Sequence, residues 1–138
     1  ASRGEVTRFI PGRNVVWPPR IAADSVDLVS AHATATKMGD VVESQAIRKT
    51  FGDVPRVVGL KGYMGHTMAA CGAIETALIL FMMQAGIIAP TLNLEEIDSR
   101  CSGLNHVTRL VESPISTAAV QNFAFGGVNT TLFIKRFD

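Results

Sequence analysis

Three places along the chain combine side chains capable of acid–base or hydrogen-bonding chemistry with small residues that let the backbone turn sharply. Each lies at the edge of a predicted strand or helix, where active sites concentrate. The three places are His32 with Thr34 and Thr36, Lys61 with His66 beyond it, and the Phe125-Gly126-Gly127 turn.

These residues also have structural roles to weigh against the chemical ones. His66 could simply cap the helix that it opens. The glycines between 59 and 65 could cradle a phosphate, but they lack the Gly-Lys-[Ser/Thr] ending of a P-loop. The histidines and cysteines have no spacing typical of zinc ligands, and Cys71 falls in an apolar segment, where a buried thiol is usually inert. Spacing alone therefore favours structural roles and predicts no metal site.

The composition indicates one compact domain. Of the 138 residues, 47% are hydrophobic and 18% charged, which argues against disorder. The net charge of +1 argues against a nucleic-acid partner held by bulk charge. Two cysteines cannot form a disulfide framework, which favours a reducing, cytoplasmic compartment. The sequence begins with neither Met nor an apolar run. We therefore expect that it carries no signal peptide and that it is a trimmed piece of a longer protein.

The chain is predicted to divide into an irregular or partly extended segment over 1–24 and a domain over 25–138. Three of the six prolines lie in the first segment, which shows no clear periodicity. Within the domain, residues 86–116 are expected to be mostly loop, and a glycine hairpin over 124–129 joins the last two strands. The predicted strands are 26–31, 56–59, 117–123 and 130–137.

Two helices are predicted between these strands. Asp40 and Glu43 have the spacing of a capping box, which opens a helix that ends at Gly52. A longer helix covers 67–85 and ends at Gly86. The order strand–helix–strand–helix–strand–strand is typical of an α/β fold with a mixed sheet layered with helices.

The longer helix is apolar all round, which predicts a buried central helix in a layered core. Its length is nearly that of a membrane span. However, Glu75 lies at its middle and no basic flank follows it, so we expect no membrane association. Small residues between 69 and 77 would let another helix approach closely.

Four segments together resemble the motifs of β-ketoacyl synthases. Residues 31–36 (AHATAT) resemble the family's AHGTGT, and residues 60–72 (LKGYMGHTMAACG) resemble TKSxxGHTxxAAG. Residues 90–94 (PTLNL) resemble PPTxNL, and residues 122–129 (NFAFGGVN) resemble SFGFGGTN. The order is that of the family. The resemblance therefore implies the C-terminal half of a condensing enzyme with the thiolase-like fold.

The resemblance also implies roles for the polar residues. His32 and His66 match the two catalytic histidines, and Lys61 matches the lysine between them. Glu43 falls where the family has an acid near that lysine, and we expect it to hold Lys61. The Gly-His-Thr form around His66 implies the elongating, two-histidine branch of the family.

Three further positions are implied to contact substrate. Thr34 and Thr36 match the threonines that line the pantetheine tunnel. Phe125 matches the phenylalanine whose ring gates the acyl pocket and whose amide contributes to the oxyanion hole.

The implied reaction is a decarboxylative Claisen condensation of an acyl thioester with malonyl-[acyl carrier protein], in fatty-acid or polyketide synthesis. No cofactor is implied. The implied partners are the acyl carrier protein, an N-terminal half carrying the nucleophilic cysteine, and a second subunit in a homodimer or heterodimer. His66 lies at a helix N-terminus near the Lys61 cation, and both features favour the neutral imidazole needed to donate to an enolate.

The sequence departs from the family pattern in several places. Ala33 and Ala35 replace residues that are usually glycine, so we expect a turn that avoids positive φ there. Neither Cys71 nor Cys101 matches the nucleophile. Two alternatives to an active synthase therefore stay open: a non-catalytic partner resembling a chain-length factor, and a fragment that is inactive alone.

Overall fold

The structure of the chain is a computed structural model that describes residues 6–10, 13–16 and 21–137. The strands are β1 (Val6–Ile10), β2 (Arg13–Val16), β3 (Leu28–Ala31), β4 (Arg56–Gly59), β5 (Ile87–Ile88), β6 (Asn105–His106), β7 (Val111–Glu112), β8 (Thr117–Ala124) and β9 (Val128–Lys135). The α-helices are α1 (Gly39–Phe51), α2 (Lys61–Met64) and α3 (Cys71–Ala85). Short 3-10 turns cover Ala23–Ser25, Met68–Ala70 and Ser99–Cys101.

A five-stranded mixed sheet forms the centre of the fold, in the order β6-β4-β3-β8-β9. Its first four strands are parallel, and β9 runs antiparallel to β8. One face packs against α3, where Leu28, Val58 and Val120 meet Ile79. The opposite face packs against α1 through a second core cluster. The predicted α/β fold with a mixed sheet layered with helices is therefore confirmed.

Glycines set the ends of both predicted helices. Gly52 follows α1 with φ of 72°, and Gly86 follows α3 in the left-handed conformation, with φ of 68°. In each case the glycine N–H closes the last turn on a carbonyl four residues earlier. Strand β4 has the predicted bounds. By contrast, the predicted 59–65 loop contains the short helix α2.

Two further segments differ from the predictions in detail. The region 86–116, expected to be mostly loop, includes three two-residue strands, and β6 extends the main sheet. In the segment predicted to be irregular or partly extended, β1 and β2 form an antiparallel pair. The other residues up to 20 lie outside the described residues, and the boundary at residue 24 stays a prediction.

The predicted capping box is wrong. Helix α1 begins at Gly39 with Met38 as its N-cap, so Asp40 already lies in the first turn. The Glu43 carboxylate turns away from the helix N-terminus and accepts backbone N–H groups of the loop that follows β3. A local sequence pattern was thus overridden by a contact between α1 and the sheet.

Helix α3 packs on the sheet as the predicted central helix, but it is buried on one face only. Glu75, Ile79 and Met83 point into the core, whereas Leu80 and Phe81 are exposed. By length and composition the helical stretch Met68–Ala85 could cross a membrane, although 28% of it is buried within the chain. Its central acid is fully buried and ion-paired, and this arrangement fits a helix that packs on a sheet.

The turn after β3 contains positive φ at both alanines, contrary to expectation. Ala33 has φ of 36° and Ala35 has φ of 60°. The N–H groups of His32 and Ala33 donate hydrogen bonds to the Glu43 carboxylate, and these two bonds fix the start of the turn. The loop therefore keeps a glycine-like shape without glycine.

Replacing Ala35 by glycine should stabilise the chain. Ala35 is exposed and left-handed, and removing its Cβ relieves a strain of about 1 kcal/mol. We expect Ala35→Gly to raise the free energy of unfolding in urea by a similar amount. The control is Ala77→Gly in the exposed middle of α3, which should lower it by about 1 kcal/mol. Destabilisation by both variants would contradict the backbone path described here.

Candidate active site

The candidate site lies where parallel strands end. His32 directly follows β3, Lys61 lies just beyond β4, and Phe123 is near the end of β8. Because β3, β4 and β8 are parallel and adjacent, their carboxyl ends meet at one edge of the sheet. The α2 turn and the 3-10 turn after it bring His66 to the same edge.

Two imidazoles face each other at this edge. The rings of His32 and His66 have centroids 5.3 Å apart and are nearly perpendicular, at 87°. The Phe123 ring makes a second edge contact with His32, at 5.7 Å. His66 Nδ1 accepts the Met68 N–H at 3.2 Å, which leaves Nε2 as the nitrogen that carries the proton in the neutral ring. His66 can therefore donate a hydrogen bond from Nε2.

Lys61 is held by Glu75. Its Nζ lies 2.7 Å from Glu75 Oε1, and both side chains are almost fully buried. The expectation that Glu43 holds Lys61 is wrong, because Glu43 is committed to backbone N–H groups. Glu75 is the site residue that sequence reasoning missed. The available signal was a single acid in the middle of an apolar helix, which must find a buried partner.

Glu43 instead organises the loop that carries His32. Its two carboxylate oxygens accept the His32 N–H at 2.7 Å and the Ala33 N–H at 2.8 Å. Burial raises the pKa of Glu43 to about 7, against the hydrogen bonds that favour the charged form. The carboxyl group therefore positions the backbone of His32 and lies outside the imidazole pair.

His32 is kept neutral by its surroundings. Burial lowers the pKa of His32 to about 4, with smaller contributions from the Lys61 cation and His66, while the nearby Asn122 side chain opposes the shift. A neutral imidazole at this position can donate a hydrogen bond from its one N–H to a developing anion.

Titration of His32 should show this shift directly. We expect its midpoint near 4 when the isotope-labelled histidine rings are followed by NMR, with the signal assigned by its loss in His32→Gln. Since the pKa of His32 lies below its ordinary value of 6.5, the unfolded chain binds a proton first. Its contribution to stability is therefore full above pH 6.5 and is lost as the pH falls through about 4.

The raised pKa of Glu43 makes stability depend on pH in the opposite direction. Its contribution to stability is lost as the pH rises from 4.5 through about 7. The two effects overlap, so the ring titration is more decisive than a stability curve. A His32 midpoint at or above 6.5 would contradict the buried environment described for it.

The other predicted site residues lie further out. Thr36 Oγ1 accepts the Gly39 N–H at 3.2 Å and lies 3.4 Å from Thr34 Oγ1, so both threonines sit in the loop between His32 and α1. Phe125 is at the tip of the hairpin between β8 and β9 and is 96% exposed. The structure brings together His32, Lys61 and His66, and leaves Phe125 outside that group.

The cysteines and acids give no sign of metal chemistry within the described part of the chain. Among those residues no group of three His, Cys, Asp or Glu side chains could hold a metal ion. Cys71 is buried at the start of α3, and Cys101 is half-buried at the end of the 3-10 turn Ser99–Cys101. Neither thiol forms a disulfide bond.

Comparison with known families identifies the fold. Residues 14–95 match the family described as "Beta-ketoacyl synthase, C-terminal domain". The chain belongs to this family. The matched residues of this ketoacyl synthase domain include His32, Lys61 and His66.

Curated relatives support the same assignment. The chain is 39% identical over 112 residues to 3-oxoacyl-[acyl-carrier-protein] synthase 1 of Escherichia coli, covering 80% of this chain and 28% of that protein. It is also 39% identical over 127 residues to a putative mitochondrial synthase of Schizosaccharomyces pombe, covering 85% of this chain and 29% of that protein. The chain thus spans less than a third of the length of these relatives.

Solved structures confirm the thiolase-like ketosynthase fold. A β-ketoacyl synthase from Burkholderia phymatum is 41% identical with a TM-score of 0.83, over 86% of this chain and 29% of that one. The ishigamide ketosynthase/chain length factor is 34% identical with a TM-score of 0.81, over 86% and 30%. A type II polyketide ketosynthase in complex with its acyl-carrier protein is 28% identical with a TM-score of 0.81, over the same shares.

Proposed function

We propose that this chain is the C-terminal half of an elongating β-ketoacyl-[acyl carrier protein] synthase, an acyltransferase of fatty-acid or polyketide synthesis. The observation that carries the proposal is the perpendicular His32–His66 pair beside the buried Lys61–Glu75 ion pair. Two neutral imidazoles at fixed positions suit a reaction in which negative charge develops on a single oxygen.

In the proposed reaction an acyl group is held as a thioester on a cysteine of the N-terminal half. The bond between the malonyl carboxylate and its neighbouring carbon breaks, carbon dioxide leaves, and the electron pair forms an enolate on the malonyl thioester. The enolate carbon then bonds to the acyl carbonyl carbon, and the cysteine leaves as a thiolate. The product is a β-ketoacyl thioester on the carrier protein.

The two histidines stabilise the enolate oxygen by donating N–H hydrogen bonds. His66 has Nε2–H available because its Nδ1 accepts from Met68. His32 stays neutral because burial and the Lys61 cation lower its pKa. The lysine, which is fixed by Glu75, adds a positive potential close to the developing charge.

Carrier protein and an upstream half complete the proposed enzyme. One structural relative is a ketosynthase in complex with its acyl-carrier protein. We propose that Thr34 and Thr36 line the entry of the pantetheine arm. The apolar face of α3 that carries Leu80 and Phe81 is exposed in this chain. We propose that the N-terminal half, which the longer relatives contain, packs on this face.

We further propose that the complete protein is a dimer and that it is cytoplasmic. One relative is described as mitochondrial.

The proposal is tested by intact mass spectrometry on the complete protein that contains this chain. Incubation with an acyl-carrier-protein thioester should add an acyl group, and malonyl-carrier protein should then remove it with release of carbon dioxide. Persistence of the adduct after addition of malonyl-carrier protein would contradict a condensing activity.

A second candidate is a non-catalytic subunit resembling a chain-length factor, because one structural relative is a ketosynthase/chain length factor. The presence of His32, Lys61 and His66 favours the enzyme over this alternative. Absence of an acyl adduct, in a protein that folds and pairs with another synthase chain, would favour the chain-length-factor function.

Phe125 is proposed to gate the acyl pocket and to supply an amide to the oxyanion hole. Because its ring is free at the hairpin tip in this chain, truncation should cost little stability and act on the substrate. We expect Phe125→Ala to change the distribution of acyl-chain lengths accepted by the complete protein. Phe137→Ala removes another highly exposed ring and is the control. An unchanged distribution in Phe125→Ala would refute the gate.

A further inference from the structure

Helix α2, which joins Lys61 to the backbone of His66, is too short to hold its own place. It has four residues, and the Gly65 N–H closes it on the Lys61 carbonyl at 2.8 Å. A helix of this length is not stable alone in water. The ion pair with Glu75 fixes a charge at the end of a flexible side chain, so the backbone of the turn could still shift. Other contacts must therefore set the position of α2.

The segment 90–94, a sequence motif that the proposed reaction does not use, supplies such contacts. The Tyr63 hydroxyl donates to the Pro90 carbonyl oxygen at 2.8 Å. The Gly59 N–H donates to Thr91 Oγ1 at 3.0 Å. One of these hydrogen bonds lies within α2 and the other just before it, so the segment holds both the helix and the end of β4.

The segment is itself anchored to the sheet. The Thr91 N–H donates to the Val107 carbonyl at 2.8 Å, and the Val107 N–H donates to the Val57 carbonyl of β4 at 3.0 Å. These backbone bonds join the segment to the residue that follows β6 and, through it, to the central sheet. The segment can therefore act as a fixed support for α2.

Gly62 lets α2 approach this support closely. A Cβ on Gly62 would lie 3.0 Å from the Leu92 carbonyl oxygen and 3.1 Å from Leu92 Cβ. Both contacts are tighter than side chains normally tolerate, so a methyl group there would push the helix and the segment apart. The motif that residues 60–72 resemble has serine at this place, and its Cβ would meet the same atoms. The close contact thus depends on glycine.

The His66 ring is fixed to the backbone that follows α2. Its Nδ1 accepts the Met68 N–H at 3.2 Å, so the ring moves together with this backbone. The ring centroids of His66 and His32 are 5.3 Å apart. A displacement of α2 would therefore change the spacing of the two imidazoles.

We propose that Tyr63 is a positioning residue that fixes α2 through its hydrogen bond to Pro90, and thereby sets the distance between His66 and His32. The contact rests on the geometry alone. Its catalytic consequence rests on the proposed function, because two donors can share one developing charge only at a fixed spacing.

Tyr63→Phe tests the role by removing only the hydroxyl. NMR of isotope-labelled histidine in the complete protein should show changed His66 ring-proton shifts and a changed nuclear Overhauser effect between the two rings. The kcat for malonyl decarboxylation should fall by about threefold to tenfold, with KM nearly unchanged. Ser102→Ala is the control. It removes a hydroxyl that donates to the Ser99 carbonyl before β6, and should change neither measurement.

Gly62→Ala disturbs the same contact while keeping the tyrosine hydroxyl. It should also change the His66 ring signals and lower kcat. Because both substitutions act on one contact, the double variant with Tyr63→Phe should lose less activity than the product of the two single losses. Losses that multiply fully would contradict a shared contact.

The outcomes separate this inference from the proposed function. Unchanged His66 ring signals in Tyr63→Phe would overturn the positioning role, and so would changed signals with an unchanged kcat. A rise in KM alone would overturn it too, because it would place Tyr63 in substrate binding. If the unsubstituted complete protein takes up no acyl group and decarboxylates nothing, the proposed function fails. The ring signals would then still decide whether Tyr63 sets the imidazole spacing.

Discussion

His66→Ala is expected to abolish malonyl decarboxylation by the complete protein while leaving acyl transfer to its cysteine intact. The reason is that, in the proposed reaction, the His66 Nε2–H donates only to charge that develops on the malonyl thioester oxygen. Loss of one such donor typically costs about 10²–10³-fold in rate. Release of carbon dioxide from malonyl-carrier protein measures the first step, and intact mass measures the second.

The matched control is His106→Ala. His106 lies on β6 at the far edge of the sheet, where its Nε2 is 2.9 Å from the Cys101 carbonyl oxygen. Its removal should leave decarboxylation near the parent rate. Equal losses in the two variants would indicate a general effect of losing a histidine, and full decarboxylation by His66→Ala would exclude the donor role.

Local residue types predicted much of the scaffold. Gly52 and Gly86 end their helices because glycine adopts positive φ without strain, and this depends on one residue rather than on the fold. The strand at 56–59 was predictable because it is a short apolar run bounded by turn residues. The edge where His32 and Lys61 meet follows from the parallel order of the strands that carry them.

Which glutamate pairs with Lys61 could not be predicted from local residue types. Glu43 and Glu75 are both distant from Lys61 in sequence, and only the packing of α3 on the sheet decides which carboxylate reaches the lysine. Glu43 in turn accepts the N–H groups of His32 and Ala33, which fixes the start of the loop in which Ala33 and Ala35 have positive φ. Tertiary hydrogen bonds here override both the capping pattern and the backbone preference of alanine.

Breaking the buried ion pair should have the largest effect on stability. Glu75→Leu leaves the Lys61 ammonium buried without its partner, and such a change typically costs about 3–5 kcal/mol. We expect a drop of that size in the free energy of unfolding in urea. The control is Arg100→Ala, which breaks the Asp98–Arg100 pair. That pair is also short, at 2.6 Å. Because it is exposed, its loss should cost little stability by comparison.

The double variant Lys61→Met with Glu75→Leu separates stability from chemistry. Replacing both charges by apolar groups of similar size removes the unpaired ion, so most of the lost stability should return. Decarboxylation by the complete protein should nevertheless stay low, because the cation that helps to keep His32 neutral and favours negative charge at the site is gone. Recovery of both stability and rate would show that the pair only holds the fold together. Failure to recover stability would mean that the sheet edge and α3 need the ion pair for their packing.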